Sequence, residues 1–265
     1  AISQSGETAD TLACVKHAKQ RGGQVFSICN VRNSSIARES DSVVYMSAGP
    51  EIGVASTKAF TTQVLSIYLW GLGAAKQLGT LNESDIAANI TNIQLLPNLV
   101  EEAISYCSDL KEIVREYYEA KDFLYLGRGP SYTVALEGAL KLKEISYSHA
   151  EGYAAGELKH GPIALVDRHM PIVVIAPPDK YYEKTISNIE EVRSRDGRIV
   201  AIGVKKDKKL RDLADHYIQC PSIENPCYQS ILSTIPVQML AYEIAVQRGT
   251  DVDQPRNLAK SVTVE

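Results

Sequence analysis

Ser3-Gln4-Ser5-Gly6-Glu7-Thr8 stands between a short apolar start and a segment of helical periodicity. Residues 1–4 read as the end of a strand, and Asp10 to Arg21 carries Leu12, Val15 and Ala18 at helical spacing before stopping at Gly22-Gly23. A strand that runs through a hydroxyl-rich turn into a helix is the opening of an α/β module. The turn then lies at a helix N-terminus, where free backbone N–H groups and the positive dipole end favour an anion. Hydroxyl and amide donors without a lysine suit a phosphate that must be held and released. The same residue types also make an ordinary capping loop, so this stretch alone leaves both readings open.

Working outward, Val25 to Cys29 reads as a buried strand, Asn33-Ser34-Ser35 as the start of a short helix, and Ser42 to Met46 as another strand. A polar loop, Gly49 to Lys58, leads into a long apolar helix through Leu78. Residues 82–121 read as all-helical, interrupted at Pro97. The pattern then restarts, with strands expected at Phe123 to Leu126, Ile172 to Ala176, Ile199 to Gly203 and His216 to Gln219. Helices are expected from Ser131, at Tyr181 to Ser194 and at Gln229 to Gln247. The second half restates the first, which predicts two related modules, each a parallel sheet flanked by helices. We place the boundary so that residues 1–115 form the first module with its trailing helices and residues 116–265 the second. Because the chain opens inside a strand, the first module is expected to be incomplete at its N-terminus.

Composition narrows the function classes. A net charge of −4 gives no electrostatic reason to expect nucleic acid or a membrane surface as a partner. No apolar stretch approaches the ~18 residues of a membrane span, and the basic run Lys205-Lys206-Asp207-Lys208-Lys209 reads as a solvated turn. Five cysteines, odd in number and with no Cys-x-x-Cys, read as free thiols of a cytoplasmic protein. The five histidines show no metal-ligand spacing, so no zinc and no other cofactor is expected.

Three further stretches could carry chemistry. Gly127-Arg128-Gly129 begins like a dinucleotide fingerprint but has Tyr132 at the third glycine position, and reads better as a structural turn. On the helix from Ser131 to Ser148, Glu137, Lys141, Glu144 and Ser148 fall within about 60°, while Val134, Ala135, Ala139, Leu142 and Ile145 form a separate core face. Such a stripe is ordinarily a solvated face with an i,i+4 pair. It is followed, however, by Glu151 to Pro162, a loop-like segment with carboxylates, Lys159 and His160. The chain ends Asp251 to Glu265, where Pro255, Leu258, Val262 and Val264 can pack and Lys260 could meet a carbonyl. A surface lysine is the default there.

Taken together, Ser3 through Thr8, Glu51 through Lys58, Glu137 through Pro162 and Asp251 through Glu265 resemble the isomerase half of the glutamine–fructose-6-phosphate aminotransferases, across essentially the whole chain. The resemblance implies two sugar-isomerase (SIS) modules that bind fructose 6-phosphate and make glucosamine 6-phosphate. Ammonia would come from a separate glutaminase domain as partner, and the assembly is expected to be a homodimer. It further implies that Ser3, Gln4, Ser5 and Thr8 hold the phosphate, that Val54 and Ser56 line the sugar, and that Ala259 and Lys260 close over it. Glu144 would be the base that moves a proton between C1 and C2, tuned by Lys141. His160 would assist ring opening, reaching in from a neighbouring subunit, and Lys260 would engage the sugar carbonyl. The chemistry is consistent: a carboxylate with positive neighbours suits proton transfer between adjacent carbons, and histidine exchanges protons near neutral pH. A plain sugar-phosphate isomerase and a non-catalytic SIS sensor are the alternatives. A sensor has no use for Glu144, His160 and Lys260 together, and no helix-turn-helix is apparent.

Overall fold

The structure, a computed structural model, describes residues 1–262. Val264, expected to pack, lies outside the described residues. The chain divides into two compact units, Ala1–Ala88 together with the stretch from Arg256 onward, and Asn89–Pro255. This division differs from a boundary at 115/116: residues 89–115 group with the second unit, and the stretch from Arg256 returns to the first.

In the first unit, β1 (Ile2–Ser3), β2 (Phe26–Cys29) and β3 (Ser42–Tyr45) form a parallel sheet in that order. Ile2 lies opposite Ile28, and Phe26 opposite Ser42. Parallel strands need crossovers, supplied by α1 (Ala9–Gln20) and α2 (Ser35–Glu39). Val15 of α1 packs with Val25, Cys29, Ile36 and Ala37 into one small core. The long α3 (Lys58–Gln77) follows β3. The loops after all three strands therefore emerge at one edge, the carboxyl edge where parallel sheets bind ligands. Asn30 ties that edge together, donating to the Gly49 carbonyl (2.8 Å) and accepting from Ala48 N–H (2.9 Å).

The second unit holds five parallel strands: β4 (Asp122–Gly127), β5 (His149–Ala154), β6 (Pro171–Ile175), β7 (Arg198–Val204) and β8 (His216–Cys220), in the order β5-β4-β6-β7-β8. Strands β4, β6 and β7 read as continuous apolar runs because helices cover them, and Ile172, Val174, Ile199 and Ala201 join one core with Ile186 and Ile189. The helices are the remainder of α4 (Glu83–Tyr106), α5 (Lys111–Tyr117), α6 (Pro130–Ser146), α7 (Tyr182–Arg193), α8 (Lys208–Leu213) and α9 (Pro226–Arg248). Proline at the first position of α6 suits its start, and Tyr147 in the left-handed region (φ 62°) ends it.

Several expectations are corrected. Helix α4 runs through Pro97 without a break. Pro97 is exposed, so the carbonyl it leaves unbonded one turn earlier can meet water instead of a buried void. The segment after α6 is not a loop: His149–Ala154 is an edge strand, followed by two 3-10 turns, Ala155–His160 and Pro162–Leu165. Of the lysine run, Lys205 and Lys206 do form a turn, while Lys208 and Lys209 open α8, which the Asp207 carboxylate caps by accepting from Leu210 N–H (2.9 Å). In the C-terminal stretch Pro255 is buried, but Leu258 and Val262 stay exposed. No helix among the described residues is long and apolar enough to cross a membrane.

Candidate functional site

The first unit gathers the hydroxyl cluster. Ser3 is buried, and its Oγ accepts from Gly6 N–H (2.9 Å) and lies 3.3 Å from Thr8 Oγ1. Ser5 Oγ accepts from Glu7 N–H (3.2 Å). Gly6 adopts φ +68°, and a Cβ there would stand 2.0 Å from Ser34 Oγ, so only glycine lets the turn lie against the start of α2. Glu7 faces away from the cluster: its carboxylate accepts from Ser35 N–H (2.8 Å), and the Ser35 hydrogen bonds hold it below the usual carboxylate range. Thr8 is the N-cap residue of α1 and makes no side-chain cap. Its hydroxyl clusters with those of Ser3 and Ser5 beside the helix N-terminus. The half-buried Gln4 fixes the turn through its backbone carbonyl, which accepts from Asn30 N–H (3.3 Å).

The C-terminal stretch returns to this cluster. Ser261 Oγ lies 3.1 Å from Ser5 Oγ, and the Val262 carbonyl accepts from Ala9 N–H (3.1 Å) in the first turn of α1. Beside it, Lys260 donates to Glu51 Oε2 (2.6 Å) and to the Gly53 carbonyl (2.8 Å). The other oxygen of Glu51 accepts from Thr57 N–H (2.9 Å) and Ala59 N–H (3.1 Å), closing the loop at the start of α3. That loop carries Val54 and Ser56, both half-buried, while Ala259 is exposed. Burial alone would raise the Glu51 carboxyl, but Lys260 and the two backbone N–H groups together bring it below the ordinary value. Sequence reading assigned Glu51 no role, because its partner is 209 residues away.

The second unit holds the other candidates on α6. The polar stripe of α6 is not an ordinary solvated face: Lys141 is 3% exposed and Glu137 8%, and Ser148 is buried as well. Lys141 Nζ lies 2.7 Å from Glu144 Oε2 and 3.6 Å from Glu137 Oε1, one ammonium between two carboxylates. Burial pushes the Glu137 carboxyl up; Lys141 opposes the rise and Glu144 adds to it. The opposite face of α6 is the core face expected, with Val134, Ala135, Ala139, Leu142 and Ile145 all buried. His160 stands apart from this group, exposed at the end of its 3-10 turn, which Ala155 and Leu158 anchor in the core. The Gly127-Arg128-Gly129 turn is tied to α7 by Arg128 Nε–H donating to Asn188 Oδ1 (3.0 Å).

A profile described as SIS domain matches residues 1–72 and 116–248. The chain belongs to the SIS domain family. Its two SIS segments correspond to the two parallel sheets. The whole chain aligns with glutamine–fructose-6-phosphate aminotransferase [isomerizing] of Bacteroides thetaiotaomicron, 52% identical over 266 residues and 43% of that protein's length. The namesake of Thermus thermophilus is 49% identical, with 44% of its length covered. The SIS chain thus spans less than half the length of these curated relatives. Among solved structures, the C-terminal domain of glucosamine-fructose-6-phosphate aminotransferase from Francisella tularensis superposes with a TM-score of 0.91 at 43% identity. That match covers 96% of this chain and 71% of that one.

Proposed function

We propose that this chain is the isomerase portion of a glutamine–fructose-6-phosphate aminotransferase, taking fructose 6-phosphate and ammonia to glucosamine 6-phosphate. The ammonia comes from the glutaminase portion of the same enzyme, the enzyme works as a homodimer in the cytoplasm, and neither nucleic acid nor membrane is a partner. The five free thiols and the net charge of −4 support that setting. We retain 1–115 and 116–265 as its two domains, which the resumption of the SIS match at residue 116 supports.

One observation carries the reading: Lys141 is buried between Glu137 and Glu144 on a helix whose other face is core. A phosphate-binding sensor gains nothing from a buried ammonium beside a partly accessible carboxylate, whereas a proton shuttle requires it. Glu144, with 21% of its side chain exposed, takes the C1 or C2 proton and returns it to the neighbouring carbon, and Lys141 stabilises the charge that moves. Ser3, Gln4, Ser5 and Thr8 hold the phosphate with neutral donors at the positive end of α1. Val54 and Ser56 line the sugar, Ala259 closes over it and Lys260 engages its carbonyl. His160 exchanges protons during ring opening, supplied to the partner subunit from its exposed turn.

Solvent deuterium incorporation into fructose 6-phosphate, followed by NMR, tests the reaction. Exchange at C1 that Glu144→Gln slows by ~100-fold is the expected result; exchange at the parent rate in that variant overturns the assignment.

A further inference from the structure

The chain Glu137–Lys141–Glu144 has a neighbour on another helix. Helices α6 and α9 pack directly and meet tightly at Gly138, where a Cβ would lie 2.9 Å from Val237 Cβ. The next residue along each helix from that contact is Glu137 on α6 and Gln238 on α9. Gln238 buries its Nε2 without a completed hydrogen bond, and Glu137 buries Oε1 likewise. An amide N–H turned to a buried carboxylate favours its ionised form, which opposes the rise that burial imposes on Glu137. Leaving such a donor unpaired in a dry helix interface is costly, and Glu137 is the acceptor beside it.

We propose that Gln238 is a positioning residue whose buried amide holds the Glu137 carboxylate against Lys141, so that the ammonium is shared by Glu137 and Glu144 instead of resting on Glu144 alone. The inference rests on the proton-transfer role of Glu144 given above. A second carboxylate drawing on the same ammonium keeps Lys141 from resting solely on the carboxylate that must take the substrate proton. Several other titratable groups around α6 are engaged elsewhere or lie inside, while on α9 Glu243 is half-buried and Tyr242 exposed. On β5, His149 pairs with Asp122 and Glu151, and Tyr153 bonds Glu151. On β4, the Tyr125 ring lies against Gly138 and its hydroxyl is fully buried. On α9, Arg248 is spent on the carbonyls of Tyr118, Ser146 and Ala120.

The test is a carboxyl 13C NMR titration of the chain, with the Glu137 signal identified by its loss in Glu137→Gln. In Gln238→Met, which keeps length and removes the donor, the Glu137 midpoint should move up by about one pH unit. Gln238→Glu, which adds a third carboxylate, should move it further in the same direction. Turnover of Gln238→Met should fall in kcat with KM for fructose 6-phosphate unchanged, and the acid limb of its pH profile should follow the Glu137 midpoint. A Glu137 midpoint unmoved in both folded variants overturns the proposal. The titration is independent of turnover, so the expected shift in the Gln238 variants, together with a parent chain that exchanges no deuterium, would overturn the reading of the reaction and leave the positioning contact standing.

Discussion

Lys260 and Glu51 form an ion pair of 2.6 Å across 209 residues of sequence, and Glu51 is the nearly buried member, with 5% of its side chain exposed. A single carboxylate thus caps the start of α3 and holds the C-terminal stretch. Glu51→Ala should cost ~2 kcal/mol, in line with losing hydrogen bonds to a charged group. It should also free residues 256–262, read as faster amide exchange and faster tryptic cleavage after Lys260. Unchanged protection of that stretch would show that Ser261 and Val262 hold it alone.

The same carboxylate predicts a pH dependence. Its folded-state pKa lies below the ordinary 4.5, so its contribution to stability is present above 4.5 and is lost as pH falls through the folded value. Cleavage after Lys260 should therefore accelerate below about pH 4.5 in the parent chain. The acceleration should be absent in Glu51→Gln, which carries no titrating group.

Neutral phosphate donors make a graded prediction. Fructose 6-phosphate should bind far more tightly than fructose, and Ser5→Ala should weaken only the phosphate ester, by ~1–2 kcal/mol. Calorimetry with both sugars gives the comparison; equal affinities would remove the phosphate from this turn.

Lys141→Met leaves two carboxylates without their shared cation. Breaking a buried ion pair in this way should destabilise the second unit by ~3 kcal/mol near neutral pH. The Glu137 carboxyl is already raised, so its stabilising contribution is present below 4.5 and disappears as pH rises through the folded value. The variant should accordingly recover stability towards pH 4.5, measured by denaturant unfolding at several pH values. A deficit independent of pH would mean that lost packing of the lysine stem dominates.

The homodimer can be tested by mixing. A His160→Ala chain and a Glu144→Gln chain are each expected to be inactive, and one composite site per mixed dimer should restore part of the activity. Mixed dimers of confirmed composition with no activity would place both residues' work within one subunit.

What could be read from sequence follows the range of the interactions involved. Helices α1 and α6 announce themselves because Val15 and the Val134–Ile145 face repeat at helical spacing, and β6 and β7 because Ile172–Val174 and Ile199–Ile202 are short apolar runs. Strand β5 was missed because His149 to Ala154 sits at a sheet edge and carries no apolar alternation; it is held by pairing with β4. Helix α8 was hidden by its lysines, although Asp207 was a readable cap. The α6 stripe was visible as a pattern, but its burial was not, because α9 covers part of that helix and nothing local to α6 says so. Glu51 and Gln238 belong to the same class: each acquires its meaning from a residue far along the chain.

The return of the C-terminal stretch to the first unit bears on biosynthesis. Ser261 meets Ser5 across 256 residues, and Lys260 meets Glu51 only after the intervening second unit has been made. The ribosome therefore releases every strand of both sheets before either contact can form. A nascent chain stopped anywhere short of Lys260 can complete its sheets and still lack the clasp on the hydroxyl turn. Closing so long a loop is slow relative to local folding, so the clasp on the hydroxyl turn should form later than the sheets it joins.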